Sequence, residues 1–418
     1  MSTKIAPKCS FCNSSSMSLV MDFGEVALAG GFLSQSEFSS EVKYPLRLYF
    51  CYDCFAVQVV DKVEAEVLFR DYFYFSSSIK TLRDHFTEYA KYVTSRFLNP
   101  ETSSVLEFGC NDGVLLRPLA DQMLKRVIGV DPATNIVSTI NDSRITVIND
   151  FFGRSVANDV VAKYGHVDMV IANNVYAHIP DIQGVTDAIY DVLTDDGVFI
   201  FEVHYLGNVI DGLQYDMIYH EHLYYYSLLS AIKHFERHKM KVFDIALVPT
   251  HAGSIRFYVC KIGGKYEHQI SDAVFNLQKE ELQKGYHLPQ TFTRFALDVA
   301  SQKKDLMDLI MGLKQEGKTI SGYGASGRAN TMIQYCGINQ DHLDYMIDDA
   351  PAKTGFFTPG SHFKIFTSDL LSHPNPPEYL LIFAWSFLEE ITKRNKSYLD
   401  SGRQFIVPLP QVKILKIK

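Results

Sequence analysis

Short apolar runs alternate with glycine turns and helical patterns through the middle of this chain. The runs predicted as strands there are 105–108, 127–130, 145–148, 169–172 and 197–203. A turn and a segment of helical periodicity separate each run from the next. Strands that alternate with helices in this way predict a mostly parallel, doubly wound sheet.

A second series of the same kind follows after about residue 245. It contains a strand-like run at 254–260, a long helical region at 272–318 and a new strand–glycine turn–helix unit that begins at 319–324. Further strands are predicted at 344–347, 380–383 and 404–407. This half of the chain is therefore also predicted to be a Rossmann-like α/β domain.

The first 60 or so residues follow neither pattern. They hold two closely spaced cysteine pairs, a glycine turn at 29–32 and a strand-like alternation at 44–50. We expect a multidomain α/β protein with a small module over 1–65, a Rossmann-like domain with a helical lead-in over 66–245, and a second Rossmann-like domain over 246–418.

Composition narrows the classes of protein and partner. The 418 residues are 47% hydrophobic and 21% charged, which is typical of a soluble globular protein, and no run approaches about 20 apolar residues. The net charge of −8 argues against a nucleic-acid partner, because phosphate contacts call for a basic surplus. The first residues lack the apolar core of a signal peptide, so we expect a cytoplasmic protein without a membrane partner, either a monomer or a weak oligomer.

Four of the seven cysteines form two CxxC pairs in the first module. The pairs are Cys9 with Cys12 and Cys51 with Cys54. Two such pairs can close a tetrahedral site of four thiolates, and a module with little apolar core gains folding energy from the metal. Because four thiolates leave no ligand position open, we predict a structural zinc ion.

A polar, glycine-containing turn follows the first strand of the middle domain. Asn111 stands where a middle glycine is common, and asparagine tolerates a positive φ better than most residues. The next strand ends at Asp131, and an acid there can bind the two ribose hydroxyls of an adenosine group. The predicted cofactor contacts, all at the carboxyl ends of strands or in the turns that follow, are Glu107, Gly109, Asn111, Gly113, Asp131, Asp150, Phe151 and Asn173.

This geometry fits either NAD or S-adenosylmethionine. The turn GCNDG is not the dinucleotide form GxGxxG, and Glu107 stands where a cationic methionine group would bind. Asp150, Phe151 and Asn173 add polar and aromatic groups at the sheet edge where ligands bind in such folds. These features favour S-adenosylmethionine, and the chain is predicted to be a methyltransferase.

Candidate catalytic residues follow the fourth and fifth strands. His178 lies just after the fourth strand, and Tyr219-His220-Glu221-His222 comes after the fifth. Histidine suits general-base chemistry near neutral pH, and a helical turn over 219–222 would put Tyr219 and His222 on one face. A metal site at His220, Glu221 and His222, or a purely structural role, stays open, although the paired histidines of HExxH are absent.

Taken in order, the motifs resemble those of a known enzyme family. The series is CxxC…CxxC, ExGCNDG, NxxAHIPD, YHEH, HAGSIRFY and SGYGASGRANT, and it spans nearly the whole chain. It resembles the nucleotide-sugar C-methyltransferases of branched deoxysugar biosynthesis. The resemblance implies a zinc-binding domain and a C-terminal α/β domain that clasp the sugar nucleotide, and a middle domain that binds S-adenosylmethionine. It also implies methylation of a ring carbon, commonly C-3', beside a keto group.

The resemblance also assigns catalytic roles. It implies that His222 is the catalytic base, that Tyr219, Glu221 and His178 act with it, and that an early tyrosine takes part. Tyr72 matches that tyrosine best, with Tyr74 as the alternative. In this chemistry the base removes a proton beside the keto group, and the enolate that forms attacks the methyl group.

The second glycine turn and the HAGSIRFY motif supply candidate substrate contacts. Backbone N–H groups at the start of a helix can bind a diphosphate, and an arginine can pair with phosphate. The candidates are Arg256, Tyr323, Ser326 and Arg328. Thymidine diphosphate is the commonest carrier in the family, and guanosine or cytidine diphosphate stays open.

Two rival functions belong to other classes. One is an RNA or protein methyltransferase with a zinc module, against which the acidic net charge and the lack of an N/D-P-P-Y type motif count. The other is a non-catalytic binding protein, against which the intact Glu107, Asp131, His178 and His222 count.

Overall fold

The computed structural model describes residues 7–69, 76–78 and 80–416. The first module is an antiparallel sheet of β1 (Met17–Ala27), β2 (Lys43–Cys51) and β3 (Val57–Val59). A two-residue strand from far along the chain, Tyr224–Tyr225, pairs with β3 and completes the sheet. The helices α1 (Ala65–Phe69) and α2 (Lys80–Phe97) lead into the middle domain.

The middle domain is a seven-stranded sheet with helices on both faces. Its elements are β4 (Ser104–Phe108), α3 (Leu116–Asp121), β5 (Arg126–Val130), α4 (Thr134–Val137), β6 (Ile145–Ile148), α5 (Arg154–Tyr164), β7 (Val167–Asn173), α6 (Ile182–Val192), β8 (Leu193–His204), α7 (Leu206–Asp211), β9 (Tyr224–Tyr225, in the first sheet), α8 (Leu228–Arg237), β10 (Met240–Val248) and β11 (Ser254–Lys261). The strand order is β6-β5-β4-β7-β8-β11-β10, with β11 antiparallel to both neighbours. The sheet therefore continues to Lys261, beyond the domain end expected at residue 245.

The C-terminal domain is a six-stranded sheet preceded by two helices. Its elements are α9 (Asp272–Gln283), α10 (Pro289–Gln315), β12 (Ile320–Tyr323), α11 (Gly327–Cys336), β13 (Met346–Ile347), β14 (Ile365–Phe366), β15 (Tyr379–Ile382), α12 (Leu388–Arg394), α13 (Lys396–Asp400), β16 (Gln404–Val407) and β17 (Lys413–Leu415). The order is β14-β13-β12-β15-β16-β17, and the strands are parallel except β17. Short 3-10 helices lie at Gln35–Ser40, Ser76–Ser78, Tyr176–His178, Tyr215–Met217, Thr250–Ala252, Pro351–Lys353, Ser368–Ser372 and Trp385–Phe387.

The fold class predicted from the sequence is confirmed. Each strand predicted in the two α/β domains is present, with ends that differ by a few residues. The helical region expected over 272–318 consists of two helices. They separate because Gly285 adopts a φ of 73° and Pro289 begins a new helix.

One apolar core runs through all three parts of the chain. It includes Phe50 of the first module, Phe201 of the middle sheet and Ile310 of α10. Phe50 stacks on Phe292 of α10 with ring centroids 4.5 Å apart. Because dispersion and burial act across these boundaries, the three parts are expected to hold their relative positions.

The first module also clasps the C-terminal domain through polar contacts. Leu33 and Phe357 exchange two backbone hydrogen bonds of 3.1 and 2.8 Å. A Glu41 carboxylate oxygen lies 2.9 Å from His362 Nε2, and the His362 ring stacks on Phe38 with centroids 3.8 Å apart. These contacts close one side of the space between the three parts. Within the described ranges, no helix combines the length and the apolar character needed to cross a bilayer.

Candidate active site

A cavity of about 1750 Å³ lies where the three parts meet. Its walls are residues 28–32 of the first module, the carboxyl ends of the middle strands, and residues 326–328 with Lys353 of the C-terminal domain. Ligands in open α/β folds bind at that edge of the sheet. The cavity is large enough for a cofactor and a second ligand of similar size.

The four cysteines of the first module converge away from this cavity. Their sulfur atoms all lie within 4.8 Å of one another, with Cys9 3.5 Å from Cys54 and Cys12 3.6 Å from Cys51. Zn–S bonds of about 2.3 Å in a tetrahedron require sulfur atoms about 3.8 Å apart, so the four thiolates fit a zinc ion. Gln58 is fully buried and donates from Nε2 to Cys9 Sγ at 3.0 Å. Four protein ligands leave no place for a substrate at the metal.

The turn after β4 keeps its backbone open towards the cavity. Gly109, Asn111 and Gly113 have φ angles of 66°, 50° and 76°. A Cβ on Gly109 would lie 2.7 Å from the Val175 side chain, so only glycine fits there. Asp131 accepts hydrogen bonds of 2.9 Å from the backbone N–H groups of Asn111 and Ala133. The turn and the aspartate are therefore held together as one rigid unit.

Two buried polar groups in this part of the cavity have unused hydrogen-bonding atoms. Glu107 Oε2 and both amide atoms of Asn173 find no hydrogen-bond partner among the described residues. Burial raises the pKa of Glu107 well above its usual range. Unpaired buried polar atoms are costly, and a bound cationic group would satisfy them. These residues fit the methionine end of S-adenosylmethionine.

The predicted cofactor residues do not all face the cavity. Glu107, Gly109, Asn111, Asp131, Phe151 and Asn173 line it. Gly113 and Asp150 are not among the described residues that line it. Gly113 serves the turn, since its N–H donates to the carbonyl of Cys110 at 3.0 Å, and Asp150 accepts from the N–H of Phe151.

His222 is oriented by two hydrogen bonds. Its Nδ1 lies 2.9 Å from the carbonyl oxygen of Met217, and its Nε2 lies 2.9 Å from the hydroxyl of Tyr219. Because a carbonyl can only accept, Nδ1 carries the proton and Nε2 accepts from Tyr219. The free base position of the ring is therefore Nε2, at the cavity wall.

Two further imidazoles surround His222. The rings of His178 and His204 have centroids 5.0 and 5.3 Å from that of His222. Burial, reinforced by the neighbouring His178 and His204, lowers the pKa of His222 well below its usual range. Burial lowers the pKa of His178 to about 4. Both rings are neutral near pH 7, which is the form a general base requires.

His204 was not among the candidates drawn from the sequence. It ends β8 at the carboxyl edge of the sheet and lines the cavity. Ligands bind at the carboxyl ends of parallel strands, and this holds for the end of the fifth strand as well as for the fourth. Glu221 also lines the cavity, while Tyr72 and Tyr74 lie outside the described residues.

His220 lies on the other side of the turn. Its Nε2 is 3.1 Å from the carbonyl oxygen of Pro45 in β2, and it is not among the described residues that line the cavity. This contact anchors the turn to the first module. It also leaves His220 unable to share a metal ion with His222 through that nitrogen.

Ser326 and Arg328 form the C-terminal wall. Ser326 caps α11, where its hydroxyl accepts from the N–H of Ala329 at 3.3 Å. Arg328 Nε donates to Asp216 at 2.9 Å, and its guanidinium stacks 4.6 Å over the ring of Trp385. Lys353, which the sequence did not single out, lines the same wall and donates to the carbonyl of Ala325 at 2.7 Å.

Arg256 and Tyr323 are turned away from the cavity. Arg256 donates twice to Glu202, at 3.1 and 2.8 Å, and lies 3.6 Å over the ring of Tyr89. Tyr323 donates its hydroxyl to Asp349 at 2.7 Å. Neither is among the described residues that line the cavity. In this structure both stabilise their domains.

The chain matches three protein families and one curated protein over most of its length. A zinc binding domain matches residues 9–69, a methyltransferase domain 82–240 and a C-methyltransferase C-terminal domain 249–410. C-methyltransferase NovU of Streptomyces niveus is 30% identical over 409 residues, which is 98% of this chain and 96% of NovU. The predicted zinc module and the predicted S-adenosylmethionine cofactor are confirmed by these matches.

Solved structures show more distant similarity. Magnesium protoporphyrin IX methyltransferase from Synechocystis, with bound S-adenosylmethionine, is 14% identical and has a TM-score of 0.32, with 43% of this chain and 79% of that chain covered. An S-adenosylmethionine-dependent methyltransferase from Clostridium acetobutylicum is 14% identical with a TM-score of 0.33, and 44% of this chain and 93% of that chain are covered. Each covers less than half of this chain.

Proposed function

Because the chain belongs to the C-methyltransferase family, we propose that it methylates a ring carbon of a keto-deoxysugar linked to a nucleoside diphosphate. The expected position is C-3'. The observation that carries the proposal is the neutral His222, whose Nε2 faces a cavity shared by the cofactor turn and the Arg328 wall. A base is needed at that place because a ring carbon becomes a nucleophile only when a neighbouring carbonyl lets its proton leave.

The cofactor end of the cavity would hold S-adenosylmethionine. Glu107 and Asn173 offer buried, unpaired atoms to the cationic methionine end, and Asp131 follows β5, where an acid can bind the ribose hydroxyls. When bound, this cofactor supplies a methyl group on a positively charged sulfur. Gly109 keeps this turn free of a side chain, since a Cβ there would meet Val175.

His222 is the general base in this proposal. Its Nε2 takes the proton from the sugar carbon beside the keto group, and the electron pair of that C–H bond forms the enolate. The enolate carbon is the nucleophile that would take up the methyl group, and the sulfur of the cofactor would leave as a neutral thioether. Burial keeps His222 neutral and so ready to accept the proton.

The enolate oxygen needs a hydrogen-bond donor while it carries negative charge. Tyr219 is one candidate, since its hydroxyl donates to His222 Nε2 and must turn away as that nitrogen takes up the sugar proton. His178 is the other, with its ring beside His222 in the same cavity. A donor placed in advance is worth several kcal/mol in reactions of this kind, about 3–4 kcal/mol for a single donor.

The C-terminal wall is suited to the diphosphate. The helix α11 begins after its cap Ser326, and residues 326–328 at this positive helix end line the cavity. Arg328 and Lys353 add two cationic side chains on the same wall. Ala29 of the first module lies 3.2 Å from where a Cβ on Gly327 would stand, so the zinc module packs directly against this wall. The expected carrier is thymidine diphosphate, with guanosine or cytidine diphosphate as alternatives.

A panel of keto-sugar nucleotides tests the proposal. Each is incubated with enzyme and S-adenosylmethionine, and the product is examined by mass for the gain of one methyl group. A second set without S-adenosylmethionine, in deuterated buffer, shows which carbon exchanges its proton. Exchange at a carbon beside the keto group, followed by methylation there, is the expected result. No exchange and no methylation with any acceptor would refute the sugar substrate.

The variant His222→Asn tests the base. Turnover should fall by at least about a hundredfold, because general-base catalysis contributes that much or more. The affinity for S-adenosylmethionine, measured by calorimetry, should stay unchanged. The exposed His268 provides the control, since His268→Asn should keep full activity. Near-normal turnover in His222→Asn would remove the assignment.

A further inference from the structure

A buried carboxylate lies just ahead of the YHEH motif. Asp216 belongs to the 3-10 helix Tyr215–Met217 and has no exposed surface. Its Oδ2 accepts hydrogen bonds from Arg328 Nε and from Trp385 Nε1, both at 2.9 Å. Both donors belong to the C-terminal domain. Asp216 is therefore a contact between the segment that precedes the catalytic histidine and the wall proposed to bind the diphosphate.

This contact is more than packing requires. Burying a carboxylate is expensive unless it is paired, and an apolar side chain in such a place is often no less stable. Asp216 Oδ1 has no hydrogen-bond partner among the described residues, so the burial cost is only partly offset. A costly group of this kind suggests a role other than stability.

The next residue along the chain orients His222. The carbonyl of Met217 accepts from His222 Nδ1 at 2.9 Å and from the hydroxyl of Tyr225 at 3.1 Å. One peptide unit separates this carbonyl from Asp216. Asp216 and the acceptor that sets the tautomer and the angle of the base are therefore neighbours in one 3-10 helix. Displacements of about 1 Å in such an arrangement can cost about a hundredfold in rate.

Arg328 has hydrogen-bonding capacity left on its other side. Its Nη1 donates to Ser386 at 3.3 Å, while its Nη2 is buried and has no partner among the described residues. The side chain is 16% exposed and lines the cavity. The same guanidinium can therefore hold Asp216 through Nε and receive a phosphate oxygen through Nη2.

We propose that Asp216 is a positioning residue that couples occupation of the diphosphate subsite to the orientation of His222. The path is Arg328 to Asp216, then through the peptide to the Met217 carbonyl, and from there to the imidazole. The inference rests on the proposed function, because it takes Arg328 as a diphosphate contact and His222 as the base. Its consequence would be that deprotonation is restricted to a fully seated sugar nucleotide.

The variant Asp216→Asn tests the coupling. Asparagine has nearly the same shape and still accepts from Trp385, but it removes the charge that holds Arg328. We expect kcat to fall at least about tenfold, KM for the sugar nucleotide to change less than about threefold, and S-adenosylmethionine affinity to stay unchanged. Deuterium exchange into the acceptor should fall by the same factor as kcat, since both depend on His222.

The control is another carboxylate paired with an arginine. Asp244 of β10 lies 2.7 Å from Arg96 and its side chain is 13% exposed, on a different edge of the middle sheet. Asp244→Asn should leave kcat and exchange within about twofold of the wild type. A double substitution, Asp216→Asn with Arg328→Gln, should show the same kcat as Arg328→Gln alone if Asp216 acts through that arginine.

The sole tryptophan of the chain provides a readout independent of turnover. Because Trp385 donates to Asp216, its emission and its quenching by acrylamide should change in Asp216→Asn and not in Asp244→Asn. Thymidine diphosphate should shift the Trp385 emission of the wild type, and this response should be lost in Asp216→Asn. If Asp216→Asn does not fold, Trp385→Phe removes one donor and should lower kcat with little change in KM.

The outcomes separate this inference from the proposed function. If the wild type methylates a sugar nucleotide and Asp216→Asn keeps kcat within twofold, or changes only KM, the positioning role is overturned and the function stands. If the wild type neither exchanges nor methylates any acceptor, the proposed function fails. In that case the Trp385 emission still tests the coupling. If thymidine diphosphate shifts the emission equally in Asp216→Asn and in the wild type, the coupling is overturned; if the shift is lost in Asp216→Asn, the coupling is supported.

Discussion

Gln58 connects the zinc site with the segment that carries the proposed base, His222. It is fully buried, donates from Nε2 to Cys9 Sγ at 3.0 Å and accepts from the N–H of Ser10 at 2.9 Å. Its backbone belongs to β3, which pairs with Tyr224 of β9, two residues after His222. Replacing Gln58 with alanine therefore tests whether the metal site supports the position of the base.

The expected effect of Gln58→Ala can be worked out from these contacts. The substitution leaves the partly buried Ser10 N–H without its acceptor, at a cost of up to about 1–3 kcal/mol. It also removes a donor to a zinc-ligating sulfur, and such partners commonly contribute about 10–100-fold in metal affinity, or about 1.4–2.7 kcal/mol. The lost contact to Cys9 predicts a zinc dissociation constant raised by about 10–100-fold, and the unpaired N–H adds a loss of folding stability.

Competition with a chromophoric zinc chelator measures that constant. The control is Gln269→Ala, because Gln269 is exposed and its side chain donates to the carbonyl of Lys265, away from the zinc site. Methyl transfer measured at increasing chelator should be lost at lower chelator concentration in Gln58→Ala than in the control. Zinc affinity within about twofold of the wild type would refute the reasoning, and full activity after complete zinc loss would refute the link to His222.

Three further outcomes follow from the site and its surroundings. Burial lowers the pKa of His222, so the proposed base stays neutral and kcat/KM should stay constant as the pH falls through 6.5, the usual pKa of histidine. A fall in kcat/KM centred at or above pH 6.5 would contradict this. Glu281 accepts from the first two N–H groups of α8, so Glu281→Ala should lower the free energy of unfolding by about 2–5 kcal/mol in urea titrations. The control is Glu280→Ala, which should leave it unchanged because Glu280 is exposed. Gly109→Ala strains a φ of 66° and meets Val175, so calorimetry should show at least about tenfold weaker S-adenosylmethionine binding with zinc retained; unchanged affinity would contradict it.

Much of the fold follows from patterns that are local in the chain. The strand–turn–helix repeats predicted the middle and C-terminal sheets, because the apolar runs and glycine turns depend on neighbours only a few residues away. The spacing of the cysteine pairs predicted the zinc module for the same reason. The membership of β11 in the middle sheet was not predicted, because pairing partners such as Phe257 and Phe201 are more than 50 residues apart.

The candidate site was predicted less completely. Residues at the ends of the strands or just after them, such as Glu107 and His178, were predicted to line the site and do line the cavity. They could be predicted because ligands bind at the carboxyl edge of a parallel sheet. Asp216 and Lys353 were not found, since neither belongs to a motif that names its partner. The proposed role of Asp216 depends on its contact with Arg328, which lies 112 residues away in the sequence.

Two predicted substrate contacts, Arg256 and Arg328, show what the sequence determined and what only the structure decided. The sequence by itself determined the three-part organisation, the four thiolates and the order of the turns, because these depend on residue type and short spacing. Only the tertiary structure decided that Arg256 is bound to Glu202 in a buried pair, while Arg328 lines the cavity. The physical reason is that the partner of a charged side chain is set by which elements pack together, and that packing is decided by the shared apolar core and not by any local pattern.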